Sequence, residues 1–186
     1  MKKIILLSVL TLFVWSANAQ DFKPFQLYLG LGYAMPADGG GGILVNIEPS
    51  YRINDQIAAG LRIESAAMAK IVGESEAKLA GVGSYTVNGK YYLSNNSFRP
   101  YVGVGLGLFS LGSVQVDTNG TGSGSVSAGT TFGFYPRIGF DAGHFNLNLD
   151  YNIIGSTQVE FSTDDSKIKN SYIGIRIGAF IFGGRK

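Results

Sequence analysis

A strict alternation of apolar and polar residues between Ile43 and Ile53 constrains the fold more than any other feature of the chain. Its odd positions are all apolar or aromatic, and its even positions after Leu44 are polar or charged, including Glu48 and Arg52. Successive side chains of an extended strand point to opposite faces, so this period of two predicts a strand with one apolar and one ionic face. Such a strand either covers the core of a soluble sandwich or lines a barrel with lipid outside and polar groups inside.

The N-terminal residues predict export from the cytoplasm. Lys2 and Lys3 precede an almost unbroken apolar run from Ile4 to Trp15, and Ala17-Asn18-Ala19 matches the small-x-small pattern that signal peptidase recognises. The apolar run is too short to cross a membrane comfortably, so an uncleaved anchor is disfavoured. We therefore expect residues 1–19 to be a cleaved signal peptide.

The remaining residues, 20–186, are expected to form one outer-membrane β-barrel domain. Without Lys2 and Lys3 the chain carries 13 basic and 13 acidic residues, so its charge gives no reason to expect nucleic-acid binding. It has no cysteine, so disulfides cannot stabilise it, and no later stretch is long and apolar enough for a transmembrane helix. A chain that spans a membrane without helices must close into a barrel, because only closure pairs every backbone group.

Eight segments share the alternation, and the connections between them are by turns long and short. This arrangement predicts an all-β fold, an eight-stranded antiparallel up-and-down transmembrane β-barrel with short periplasmic turns and longer surface loops. The predicted strands are Phe25–Ala34, Ile43–Ile53, Gln56–Met68, Val82–Leu93, Phe98–Leu111, Thr130–Asp141, Phe145–Ile153 and Tyr172–Ile181. The predicted surface loops are Met35–Gly42, Ala69–Gly81, Gly112–Ser127 and Gly155–Lys169.

The polar face of these strands predicts an ionic network inside the barrel. An eight-stranded barrel is just wide enough for side chains to fill it, and five basic and four acidic residues face inward in this register. They are Glu48, Arg52, Arg62, Glu64, Lys90, Arg137, Asp141, Asp150 and Arg176. Paired carboxylates can also serve acid–base catalysis, but the interleaved arginines favour a structural network. Glycines such as Gly103, Gly105 and Gly107 would leave room for the long side chains opposite them.

Two further features bear on this barrel. Outward-facing aromatic residues gather near the strand ends, as the two membrane interfaces favour. They are Phe25, Tyr51, Tyr91, Phe98, Phe140 and Phe145 at the periplasmic end, and Tyr33, Tyr85 and Phe132 at the other. Pro49 and Pro136 fall within predicted strands, where each removes a backbone donor, so we expect each near a bulge or a strand end.

The Ala19-Gln20 junction, the eight alternating segments and the final segment Tyr172–Phe182 resemble the small bacterial outer-membrane β-barrel proteins. This is the OmpA/OmpX/OmpW-like group, often called the porin family, and the junction is similar to those of Bacteroidetes exports. The resemblance implies a place in the outer membrane of a Gram-negative cell envelope and insertion by the barrel assembly machinery. It also implies a monomer in contact with outer-membrane lipid and lipopolysaccharide.

The sequence offers little catalytic chemistry. Its only histidine, His144, lies in a short turn, far from the serine-rich loops at the opposite end of the barrel. Clustered histidine or cysteine ligands and phosphate-binding glycine motifs are missing from the sequence, so we expect no metal and no cofactor. The expected function is therefore non-enzymatic, with the barrel anchoring surface loops for structural or interaction roles. A narrow channel for small solutes and an outer-membrane lipid-modifying enzyme remain alternatives.

Overall fold

Eight antiparallel strands close into a barrel in which every strand pairs with its neighbours in sequence and β1 pairs with β8. The computed structural model describes residues 22–37, 39–72, 76–114, 127–155 and 170–183. The strands are β1 (Phe25–Pro36), β2 (Gly41–Arg52), β3 (Ile57–Val72), β4 (Glu76–Tyr92), β5 (Phe98–Val114), β6 (Ser127–Ala142), β7 (Phe145–Ile154) and β8 (Tyr172–Phe182). The predicted fold class is confirmed. Within the described ranges, no helix is long and apolar enough to cross a membrane. The predicted signal peptide lies outside the described residues.

The alternation of the sequence sorts side chains between the two faces of the barrel wall. Leu149 and Ile175 on the outer face are 40% and 42% exposed, whereas the adjacent Asp150 and Arg176 are 2% and 0% exposed. Large apolar side chains cover the outer face of every strand. A soluble monomer rarely exposes a continuous apolar surface of this extent, whereas a barrel in a membrane turns such a surface toward lipid.

The two ends of the barrel differ in their connections. The end that carries both termini has three short connections, residues 53–56, 93–97 and 143–144. Gly143 has a φ of 61° in the shortest of them, a conformation that favours glycine. The opposite end has connections of residues 37–40, 73–75, 115–126 and 155–171. We call the end at which β1 begins and β8 ends the terminal end, and the opposite end the long-connection end.

Two of the predicted surface loops are wrong in extent. Within the predicted loop Ala69–Gly81, β3 continues to Val72 and β4 begins at Glu76, with Lys70 opposite Lys78. Likewise, half of Met35–Gly42 belongs to strands, Met35 and Pro36 to β1 and Gly41 and Gly42 to β2. Where a strand extends beyond the membrane, neither face must be apolar, so the alternation fades while backbone pairing continues. The ends of Gly112–Ser127 also belong to strands, β5 and β6, and most of Gly155–Lys169 lies outside the described residues.

The two prolines lie within strands, and the expectation of a nearby bulge holds for Pro49 but is wrong for Pro136. The ladder from β1 to β8 shifts register between Leu27 and Tyr28, beside Pro49, whereas the ladders at Pro136 show no shift. Pro49 pairs with Leu27 of β1, while the ladder from β2 to β3 lapses between Ile47 and Ser50 and resumes in the same register. The ladder from β6 to β7 lapses in the same way around Pro136. A missing donor is therefore absorbed by a short gap on one side of the strand, since proline cannot donate to a ladder.

Candidate functional site

The interior of the barrel holds the residues that the sequence singled out. Among the described residues, ten charged side chains are buried there, the nine predicted ones and Arg99. They form two groups separated along the barrel axis. The central cluster contains Glu48, Arg62, Glu64, Lys90, Arg137, Asp150 and Arg176, and the lower cluster, toward the terminal end, contains Arg52, Arg99 and Asp141.

Glu48 is the first carboxylate of the central cluster and is shared by two cations. Its Oε1 lies 2.5 Å from Lys90 Nζ, and its Oε2 lies 2.8 Å from Arg137 Nη1. These partners come from β2, β4 and β6, so one carboxylate joins strands on different sides of the barrel. Ion pairs across the interior therefore supplement the backbone ladders.

Glu64 and Asp150 share the remaining arginines. Glu64 Oε2 lies 2.7 Å from Arg176 Nε and 2.6 Å from its Nη2, and Glu64 Oε1 accepts a 2.6 Å hydrogen bond from the Tyr172 hydroxyl. Asp150 contacts Arg62 at 2.8 Å, Arg137 at 3.6 Å and Arg176. Removing one partner from such a buried network leaves uncompensated charge, which costs far more than a surface ion pair contributes.

Glycine leaves the space that this network needs. A Cβ atom added at Gly174 would lie 2.5–2.8 Å from the guanidinium group of Arg176, and one added at Gly105 would collide with the ring of Tyr135. The Tyr135 ring lies beneath the guanidinium of Arg62, whose Cζ is 3.8 Å from the ring centroid. Glycine thus leaves room for a long side chain of the same strand, as at Gly174, or of the neighbouring strand, as at Gly105.

The lower cluster occupies the terminal end of the barrel. Asp141 accepts hydrogen bonds from Arg99 at 2.9 Å, from the Tyr92 hydroxyl at 2.8 Å and from Asn146 at 2.6 Å. The guanidinium groups of Arg52 and Arg99 lie 4.5 and 4.1 Å from the ring centroid of Phe22, which precedes β1. Phe22 is buried, so the segment that enters β1 covers this end of the interior.

An apolar layer covers the central cluster on the side of the long-connection end. All eight strands contribute to it, and it is buried and continuous. Its members are Ala34, Leu44, Ala66, Met68, Val82, Phe109, Tyr135, Ile154 and Tyr172. The expectation of a polar interior therefore holds only for the central and terminal parts of the barrel. Ions lose most of their hydration in an apolar constriction, which disfavours their entry.

Sequence reasoning missed three contributors to the site. Arg99 lies two residues before Tyr101 in β5, so both side chains face the interior. The alternation of this strand, extended by two residues, would have predicted it. The buried tyrosines have no charge to mark them, although Tyr92 and Tyr172 donate hydrogen bonds to the carboxylates. The asparagines of β7 carry no charge either, and their hydrogen bonds to acidic neighbours emerge only from the structure.

The arrangement is a packed polar interior and offers few reactive groups. His144 Nδ1 lies 2.9 Å from the main-chain oxygen of Phe180, and the Phe180 amide donates to the His144 oxygen at 2.8 Å, so this turn is attached to β8. Within the described residues, no group of three or more His, Cys, Asp or Glu side chains could hold a metal ion.

A family model for the outer membrane protein beta-barrel domain matches residues 4–179. The chain therefore belongs to this family, and it is an outer-membrane barrel protein. No curated protein matches it.

One solved structure supports the same fold, and two others are less similar to this chain. Neisserial surface protein A, NspA, has a TM-score of 0.54 at 18% identity, covering 90% of this chain and 98% of that one. OprG of Pseudomonas aeruginosa has a TM-score of 0.49 at 14% identity, with coverages of 90% and 98%. Ail, the attachment invasion locus protein of Yersinia pestis, has a TM-score of 0.45 at 14% identity, with coverages of 87% and 98%.

Proposed function

We propose that this protein is a non-conducting barrel that anchors its long connections at the cell surface for structural or interaction roles. The observation that carries the proposal is the filled interior. The lower cluster, the central cluster and the apolar layer succeed one another along the axis, and their charged and large apolar members are buried. A solute would have to displace both ion pairs and close-packed apolar side chains.

The connections supply the second argument. Residues 115–126 and 155–171 leave the long-connection end, whereas the terminal end has connections of five residues or fewer. Connections longer than about 12 residues are uncommon in compact domains unless they carry function, and residues 155–171 exceed this length. The proposed orientation places the termini in the periplasm, as insertion after signal-peptide cleavage requires, and the long connections outside the cell.

The environment that we propose follows from this orientation. The protein is a monomer surrounded by outer-membrane lipid and lipopolysaccharide, and it reaches the membrane through the barrel assembly machinery. The hydrogen bonds that attach His144 to the main chain of β8 support a structural role for this histidine and a protein without enzymatic activity.

A planar-bilayer recording of the purified protein tests the filled interior. In about 1 M KCl we expect no current steps above the lipid baseline, because ions cannot cross the apolar layer. A large general porin in the same bilayers verifies the recording, and the slower gel mobility of the boiled protein verifies that the barrel is folded. Reproducible steps from the folded protein would contradict the proposal and favour a narrow channel for small solutes.

A further inference from the structure

The central cluster carries an uncompensated positive charge. It contains four cations, Arg62, Lys90, Arg137 and Arg176, and three carboxylates, Glu48, Glu64 and Asp150. All seven side chains are at most 4% exposed. An unbalanced charge in a buried site is expensive unless a counter-ion or hydrogen-bonding groups accompany it.

Glu48 is shared by two of these cations, Lys90 and Arg137. Ser50, Gly60 and Asn88 lie opposite one another on β2, β3 and β4, one inward-facing position below Glu48. Lys90 lies one inward-facing position below Asn88 but reaches Glu48. Its side chain therefore crosses the level of Gly60, where the wall has no side chain to obstruct it.

Two side chains at this level have polar atoms without a hydrogen-bond partner among the described residues. Both the oxygen and the nitrogen of the Asn88 amide are in this state, as is the Ser50 hydroxyl, and both residues are 5% exposed. A Cβ atom at Gly60 would lie 2.8 Å from Ser50 Cβ and 3.3 Å from Asn88 Oδ1, so both side chains border the surface of Gly60. Buried donors of this kind nearly always have a partner.

We propose that a small inorganic anion of the chloride class binds between Lys90, Asn88 and Ser50. The ammonium group of Lys90 has three N–H bonds, of which Glu48 accepts one, and the amide of Asn88 and the hydroxyl of Ser50 add two uncharged donors. The anion balances the excess charge of the central cluster. The site is independent of the proposed surface role, since it lies inside the barrel wall.

Thermal unfolding in detergent tests the site. The wild-type protein is compared in sodium chloride and in sodium gluconate of equal ionic strength, because gluconate is a much larger anion than chloride. At a chloride concentration of about ten times the dissociation constant, we expect the melting temperature to be about 3–6 °C higher in chloride. Equal melting temperatures in the two salts would overturn the proposal.

Two variants separate binding from a general salt effect. Asn88→Leu removes the amide, and Lys90→Met removes the buried charge, so both are expected to lose the chloride dependence. Lys23→Gln is the matched control, since it removes the charge of an exposed lysine and is expected to keep the full dependence. Full chloride dependence in Asn88→Leu would overturn the site.

A crystallographic measurement does not depend on the folding of any variant. Crystals of the wild-type protein grown in sodium bromide are expected to show an anomalous peak within hydrogen-bonding distance of Asn88. A bromide peak found only elsewhere, or no peak in the barrel interior, would contradict the proposal.

Discussion

At the scale of single residues, the interior distributes its carboxylates unequally. Asp150 is contacted by three arginines, whereas Asp141 is contacted by Arg99, Tyr92 and Asn146. The same substitution at the two positions therefore leaves different numbers of buried arginines without the negative charge of their carboxylate. This contrast turns the geometry of the network into a measurable difference in stability.

We predict that Asp150→Asn lowers the free energy of unfolding by about 3–5 kcal/mol, because it leaves three guanidinium groups without their shared carboxylate. Asp141→Asn is the matched comparison and is expected to cost less, because one arginine, Arg99, loses its ion-pair partner instead of three. Urea titration of the barrel in lipid vesicles, followed by far-ultraviolet circular dichroism, measures the free energy of unfolding of both variants. Equal losses would contradict the unequal sharing of charge.

The alternation of side chains along each strand was enough to place nine charged residues on the inner face. A shift of a strand's register by one residue would turn arginine or lysine toward lipid, at a cost of about 2–4 kcal/mol for each residue near the midplane. Which cation meets which carboxylate could not be predicted. Arg137 and Glu48 are 89 residues apart and meet only after the barrel has closed. The residue pattern of a single strand cannot predict a contact between side chains of distant strands.

At the scale of strands, the sequence predicted the apolar centre of each strand better than its ends. The pairing of β3 with β4 extends from Ile57 and Tyr91 to Val72 and Glu76. The alternation is clear only in the part that faces lipid, where burial and exposure impose it. Beyond that part, the hairpin depends on backbone hydrogen bonds, which leave little trace in the residue pattern.

We predict that alternate amides between Ala69 and Val72 exchange slowly with solvent deuterium, because they donate to β4. Hydrogen exchange followed by nuclear magnetic resonance in micelles measures them individually. The amide of Asn96 lies in an exposed short connection and donates to the hydroxyl of Ser94 at 3.2 Å rather than to a strand, so it is the internal reference for fast exchange. Exchange of all amides from Ala69 to Val72 as fast as that of Asn96 would restore the predicted surface loop.

At the scale of the whole molecule, closure organises what no single strand reveals. Leu44 and Phe109 occupy inward-facing positions that are polar in most strands, so in the sequence each looks like an exception. In the barrel they meet Met68 and Ile154 in one apolar layer. The strand order and closure could be predicted from the eight alternating segments, although two of the four predicted long connections are short in the structure. The axial order of apolar and ionic layers could not be predicted.

The division between a rigid wall and its connections gives the last prediction. Ser113 pairs with Ser127, so a four-residue Gly/Ser linker can replace residues 115–126 without disturbing the β5–β6 ladder. Shortening this connection changes the closure entropy by only about 1 kcal/mol, so the melting temperature should fall by no more than a few degrees.

Binding to lipopolysaccharide micelles, measured by sedimentation, should weaken if this connection carries the interaction. The same linker in place of residues 156–169 is the matched variant. Undiminished binding when both connections are replaced would contradict a surface role for them.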